Sequence, residues 1–243
     1  MKDMKLRNAI VTLSARNYLP GLLRAIESLL AHNDPIDIVV ISEDIEQSDL
    51  PEGVIIHRPN IDAYVNIPNP PTYPKMVYYI LDSLLFDYDR ITWIGADEII
   101  LGDLSEVTGA NNDLSVVLEL TDNGFDKMFN DAMFSIMPKR FDGLFSKLIS
   151  IAERGGHRLC EMSVLNDWVN ENNIDVTYLD NHIDVIKRAF VYNKEWWNAN
   201  KHKIKAVHYV GKPKPWDGDE HGYEALHEFW RNYKPGDELP DAV

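Results

Sequence analysis

Two short stretches combine residue types that can do chemistry. In ITWIGADEIILGDL, residues 91–104, an apolar run ends at Gly95-Ala96-Asp97-Glu98, which sets two carboxylates where a strand stops. Oxygen ligands of this kind suit a hard divalent cation such as Mg²⁺ or Mn²⁺, which in turn neutralises a diphosphate. In HYVGKPKPW, residues 208–216, an imidazole stands at the end of an apolar run, followed by a glycine, two lysines and two prolines. The prolines stiffen the loop, the glycine admits a close ligand, and the lysines offer charge to phosphates at small entropic cost. Each stretch by itself also fits a solvated turn or a surface loop.

The elements that position these stretches follow from periodicity. Residues 8–14 (NAIVTLS) read as a buried strand, and 21–32 place Leu22, Ile26, Leu29 and Leu30 on one helical face before Asn33-Asp34-Pro35. A second strand follows at 36–41. Strand, helix, strand argues for a parallel crossover unit and an α/β sheet. Residues 66–74 hold four prolines and read as an irregular loop, after which 75–87 read as a helix. Strands are expected at 90–94, 114–118, 132–137, 176–179 and 206–210, and helices over 140–153 and 161–170. In an open α/β sheet, ligands bind beyond the carboxyl ends of the strands, where Asp97 and Glu98 fall.

Composition narrows the function classes. The 243 residues are 45% hydrophobic and 26% charged, an ordinary globular mixture, and read as a single domain over 1–243 with 212–243 as a C-terminal loop or tail extension. The formal charge of −15 argues against a broad nucleic-acid-binding face, because such affinity rests on neutralising phosphates. Cys160 is the single cysteine, which excludes an intramolecular disulfide and fits a reducing, cytoplasmic setting. No run approaches the roughly 20 apolar residues of a membrane span. Trp196, Trp197 and Trp230 are large hydrophobes suited to packing or to stacking on a sugar. His221 and His227 read as part of a solvated helix face in the tail, and Cys160 as a small buried hydrophobe.

Four segments together resemble the glycogenin-like retaining glycosyltransferases, family 8, over about residues 9–216. VTLSARNYLPGLLRAIESL resembles the family's opening strand and nucleotide-facing loop. TYPKMVYYILDSLLFDYDRITWIGADEIILGDLSEV resembles the stretch around its Asp-x-Asp motif. FNDAMFSIMP resembles its Phe-Asn-Ser-Gly strand, and HYVGKPKPW matches its His-x-x-Gly-x-x-Lys-Pro-Trp signature. The resemblance implies a GT-A fold with a mostly parallel central sheet flanked by helices. It implies a retaining transferase that moves a hexose from a UDP-sugar to a glycan or other hydroxyl acceptor, with Mn²⁺ or Mg²⁺ as cofactor.

By carry-over, Asp97 and His208 are metal ligands, and Gly211 and Lys214 hold the diphosphate. Thr12 and Tyr18 flank the nucleobase, Asn130 lies near the donor sugar, and Lys75 reaches the donor. Three departures stand out. Gly95 replaces the first motif aspartate, so that the metal is held more weakly, or Glu98 compensates, or no metal is used. Glu161-Met162 replaces the family's Asp-Gln, which favours a same-face displacement guided by the leaving phosphate over a covalent intermediate. Asp131 replaces a serine and, with Glu161, is a candidate catalytic acid. Gly95 and Met162 also motivate the rival reading of a degenerate, non-catalytic nucleotide-sugar or glycan-binding protein. A nucleotidyltransferase is a second rival, which the HYVGKPKPW loop disfavours.

Overall fold

A computed structural model describes residues 6–70, 73–121, 124–218 and 221–243, without the side chains of 119–121, 124–128 and 131. The chain runs β1 (Asn8–Leu13), α1 (Leu19–His32), β2 (Asp37–Ile41), β3 (Ile55–His57), β4 (Arg90–Trp93), β5 (Glu98–Ile100), α2 (Ser105–Thr108), β6 (Leu114–Thr121) and β7 (Gly124–Ile136). It continues through α3 (Leu144–Glu153), α4 (Cys160–Asn172), β8 (Thr177–Tyr178), β9 (Val185–Ile186), α5 (Arg188–Tyr192), α6 (Lys194–Asn200), β10 (Ala206–His208) and α7 (Glu224–Asn232). A seven-stranded sheet has the order β3-β2-β1-β4-β7-β6-β8, and a three-stranded sheet the order β5-β10-β9.

In the large sheet β7 alone runs against its neighbours β4 and β6, while the pairs β3-β2, β2-β1, β1-β4 and β6-β8 are parallel. The expected mostly parallel α/β architecture is therefore the observed one. Both faces of β1 are covered. Ala9 and Val11 enter a core with α3, α4 and residues 75–85, whereas Ile10 enters a second core with Leu22, Ile26 and Leu29 of α1. Burial on both faces is what the unbroken apolar runs of β1 and β2 encode.

Residues 75–85 form 3₁₀ turns rather than the expected α-helix. Their geometry is fixed from outside. Asp82, 2% exposed, accepts hydrogen bonds from the Tyr64 hydroxyl (2.5 Å) and the Asn60 N–H (2.7 Å), and His57 Nε2 lies 3.3 Å from it. Seven consecutive residues, Tyr78–Leu84, are buried, so no polar face remains to define an amphipathic α-helix.

Residues 212–243 contain α7, and Leu226, Trp230, Tyr233, Leu239 and Ala242 join Trp197, Val207 and Tyr209 in a third core around the small sheet. His227, expected on a solvated face, is fully buried and stacks on Tyr223 (5.7 Å between centroids). Trp197 and Trp230 are core residues, while Trp196 stacks on His182. The His182 carbonyl accepts from Lys205 N, at the end of β10 away from His208. Cys160 is buried in the core of α3 and α4. No helix among the described residues is long and apolar enough to cross a membrane.

The small sheet is tied to α1 by one hydroxyl. Ser28 Oγ, fully buried, accepts from Ile100 N (2.9 Å) and donates to the Ala25 carbonyl (3.1 Å). Ser28→Ala leaves the Ile100 N–H without this acceptor and is expected to cost about 1–3 kcal/mol. Urea unfolding of the variant beside the parent measures that loss.

Candidate functional site

β4 carries the chain into the turn 95–97 and β5 leaves from Glu98, so one short turn joins the two sheets. Helix α1 lies against it. A Cβ on Gly21 would meet the Ala96 carbonyl oxygen at 2.7 Å and the Trp216 ring at 2.5 Å, so the absence of a side chain there lets helix, turn and the 208–216 loop converge.

At the convergence Asp97 is 8% exposed. Its Oδ2 takes the Lys214 ammonium and its Oδ1 lies 3.2 Å from His208 Nε2. The ammonium also donates to the Tyr209 carbonyl (2.7 Å), and the Asp97 carbonyl accepts from Tyr209 N (2.9 Å). Tyr18 and Trp216, ring centroids 5.6 Å apart, both face the same ammonium, at 5.0 and 6.0 Å. Burial alone would raise the Asp97 carboxyl, but His208 and Lys214 outweigh it and hold the group well below the usual carboxylate range. Burial would likewise lower His208, and the Asp97 charge reverses the sign and raises it. The Tyr18 hydroxyl is pushed up to about 12, first by burial and then by the charges of Asp97 and Asp217.

Beside this pair lies a second group. Glu98, Asp184 and His208 each offer a ligand atom, and these atoms lie within 4.8 Å of one another. Carboxylate oxygens with an imidazole are donors that fit a divalent cation of the Mg²⁺ or Mn²⁺ class. Asn130, 4% exposed, donates from Nδ2 to Asp184 Oδ2 (3.0 Å), and its Oδ1 accepts from Ala132 N (2.9 Å). One residue earlier, Asn166 of α4 brackets the Phe129 backbone, accepting from its N–H and donating to its carbonyl, both at 3.2 Å. Asn166 also donates to the Met162 carbonyl (2.8 Å), so α4 is registered against β7 at Asn130.

The expected residues thus divide. Tyr18, Asp97, His208 and Lys214 meet directly. Gly211, at φ +68°, begins the turn of the 211–214 loop, and Asn130 reaches the same cluster through Asp184. Thr12, the penultimate residue of β1, is fully buried, with no hydrogen-bond partner for its hydroxyl among the described residues. Lys75 points elsewhere, its ammonium donating to the Val65 carbonyl (2.9 Å). Glu161 stands in the first turn of α4 near Tyr78, whose hydroxyl is raised by burial and by Cys160 and Glu161. The side chain of Asp131 lies outside the described residues.

Sequence reasoning missed Asp184 and Lys187. Both sit in HIDVIK, where an acid and a lysine flank an apolar pair, and that interruption is the available signal. Lys187, 1% exposed, donates to the carbonyls of Gly211 (3.5 Å) and Pro213 and so shapes the 211–214 loop from beneath. Burial, then the charge of Lys214, lowers its ammonium to about 8.

Comparison with known proteins places this architecture. No family model matches the chain, and no curated protein does. Among solved structures it is similar to the galactosyltransferase LgtC, determined in complex with donor and acceptor sugar analogs, at 18% identity and TM-score 0.69 over 94% of this chain and 98% of that one. It is also similar to the bifunctional glycosyltransferase WbbM (18%, TM-score 0.72, 96% of this chain and 51% of that one). The glycosyltransferase GlyE of Streptococcus pneumoniae is a third (19%, TM-score 0.67, 94% and 60%). The chain has the GT-A fold, and the resemblance read from its motifs holds at the level of fold.

The geometry makes the Asp97–Lys214 pair a stability element as well. Lys214→Met removes one of two cations from a buried carboxylate and is expected to cost about 3–5 kcal/mol at neutral pH. Adding Asp97→Asn to Lys214→Met should restore part of that loss, and a double-mutant cycle in urea reads the coupling. Because the folded carboxyl lies below its unfolded value, the pair contributes fully above the unfolded value, and the contribution is lost as pH falls through the folded one.

Proposed function

We propose that this protein is a retaining glycosyltransferase that moves a hexose from a UDP-sugar to a glycan or other hydroxyl acceptor, assisted by Mn²⁺ or Mg²⁺. The observation that carries the proposal is the closure of the HYVGKPKPW loop on the acidic turn after β4, with Lys214, Asp97 and His208 in one buried cluster. LgtC, which shares the fold, was crystallised with donor and acceptor sugar analogs.

In this reading Gly211 and Lys214 take the diphosphate, Thr12 and Tyr18 the uracil side, and Asn130 the donor sugar. A divalent cation beside His208 supplies positive charge against the leaving diphosphate. Lys214 then offers a second, directional positive charge to the same oxygens, where developing charge is best stabilised. Met162 has no group able to attack the anomeric carbon, which supports same-face displacement. The acceptor proton goes to the departing phosphate oxygen or to Glu161 or Asp131, and Lys75 engages the donor only on leaving the Val65 carbonyl.

Thermal unfolding with UDP, ADP, GDP and CDP tests the donor class. At about 100 times its dissociation constant a ligand adds roughly 2.7 kcal/mol, visible as a shift of several degrees. UDP should give the largest shift, and Lys214→Ala should lose most of it. UDP-hexose should then be hydrolysed slowly without acceptor, releasing sugar whose first-formed anomer retains the donor configuration. A donor bound but never consumed supports the non-catalytic binding protein instead, and no shift with any nucleotide removes the nucleotide-sugar reading.

A further inference from the structure

Resting on the reading of a metal-assisted nucleotide-sugar transferase, we infer that the cation is held by Glu98, Asp184 and His208, while Asp97 is reserved for Lys214. Four observations converge. Glu98 opens β5, His208 closes β10 and Asp184 precedes β9, so three elements bring two carboxylates and an imidazole to one point, with ligand atoms within 4.8 Å. Two carboxylates and an imidazole at that spacing form a donor set suited to a divalent cation of the Mg²⁺ or Mn²⁺ class.

Position 95 is the second observation. Glu98 Oε1 accepts the Gly95 N–H at 2.7 Å, and a Cβ on residue 95 would stand 2.9 Å from that oxygen and 3.1 Å from Asp97 Oδ1. A side chain at 95 would crowd the end of the Glu98 side chain and require its carboxylate to shift from this position. The glycine is therefore the space in which Glu98 works, and Glu98 supplies the acid that a residue at 95 does not.

Third, both oxygens of Asp97 are engaged, one by the Lys214 ammonium and the other by His208 Nε2. Fourth, the proposed ligands are oriented by their neighbours. Asn130 orients Asp184, and Ala132 N in turn fixes the Asn130 amide. Such outer contacts are what set a ligand's direction and basicity. His208 Nδ1 is buried and has no hydrogen-bond partner among the described residues, so a second ring nitrogen remains for coordination.

The test is a titration of the chelator-stripped full chain with Mn²⁺, following the electron paramagnetic resonance signal of free Mn²⁺. The parent should take up the ion, and Glu98→Gln and Asp184→Asn, both isosteric, should each weaken uptake by about tenfold or more. Asp97→Asn, which changes the carboxylate paired with His208 Nε2 and not a ligand, should weaken it less than either of them while leaving uptake measurable. Gly95→Asp, which adds an acid in the motif position, should also weaken uptake, because its side chain displaces Glu98. Near-UV circular dichroism checks the fold of every variant, and if one fails to fold, the remaining titrations decide. Loss of uptake in Asp97→Asn with retention in Glu98→Gln and Asp184→Asn overturns the assignment, as does tighter uptake in Gly95→Asp or no uptake by the parent. Thermal shift with UDP on the same samples separates the two failures. UDP binding with no role for Glu98 or Asp184 overturns the ligand set alone, whereas no nucleotide binding overturns the transferase reading beneath it.

Discussion

The Asp97 carboxylate, buried where the two sheets meet, is the constraint on which the site depends. A charge in that position is tolerated only if cations face it, and His208 and Lys214 do so from the end of β10 and from the loop beyond it. The backbone repeats the connection, since the Asp97 carbonyl accepts from Tyr209 and the Lys214 ammonium donates back to the Tyr209 carbonyl. A buried ion pair is weak evidence for net stability, because desolvation offsets much of the attraction. Its value here is positional: with Asp97 fixed by strand β4, the pair sets the register of the whole 208–216 loop. Tyr18 and Trp216 then close around the lysine and keep water from screening it.

That commitment has a chemical consequence. Glu98 and Asp184 lie beside His208, Glu98 accepting the Gly95 N–H and Asp184 the Asn130 amide, and the absence of a side chain at 95 gives Glu98 its room. In the inferred ligand set the same turn would divide the labour between neighbouring residues, Asp97 for a lysine and Glu98 for an ion. A reading that equates motif position with ligand role misses this, because role follows from what already surrounds each oxygen.

Much of the fold was legible in the sequence, for a local reason. β1, α1 and β2 each carry their own periodicity, and the apolar runs at 8–14 and 36–41 fall on the observed strands. The stretches holding Asp97, His208 and Lys214 stand out as a strand end and a proline-stiffened loop, while the roles given to those residues come from the resemblance to family 8 and not from composition. What escaped depends on distant partners. The 3₁₀ turns of 75–85 answer to Asn60 and Tyr64 through Asp82, which no window of periodicity contains. Helix α7 reads as a solvated helix face in the tail, and its burial escapes that reading because His227 is covered by Tyr223 and the small sheet's core, not by its own pattern. Asp184 and Lys187 were illegible as site residues because β9 pairs with β10 only after the chain has folded back.

Lys187 also bears on how an acidic protein would receive the anionic donor of the proposed reading. At a formal charge of −15 the average field repels a diphosphate, so attraction has to be local. Around the 211–214 loop three cations gather beside Asp97 and Asp217. Lys187 lies beneath it, Lys214 within it, and Arg188 at its edge, with a guanidinium nitrogen 3.9 Å from where a Gly211 Cβ would stand. These cations disfavour one another. After burial, the charges of Lys214 and Arg188 both contribute to lowering the Lys187 ammonium to about 8. In the proposed reading, an anion seated on the loop would favour the charged form of Lys187, so that ligand charge and the protonation of Lys187 would be linked through the same side chains.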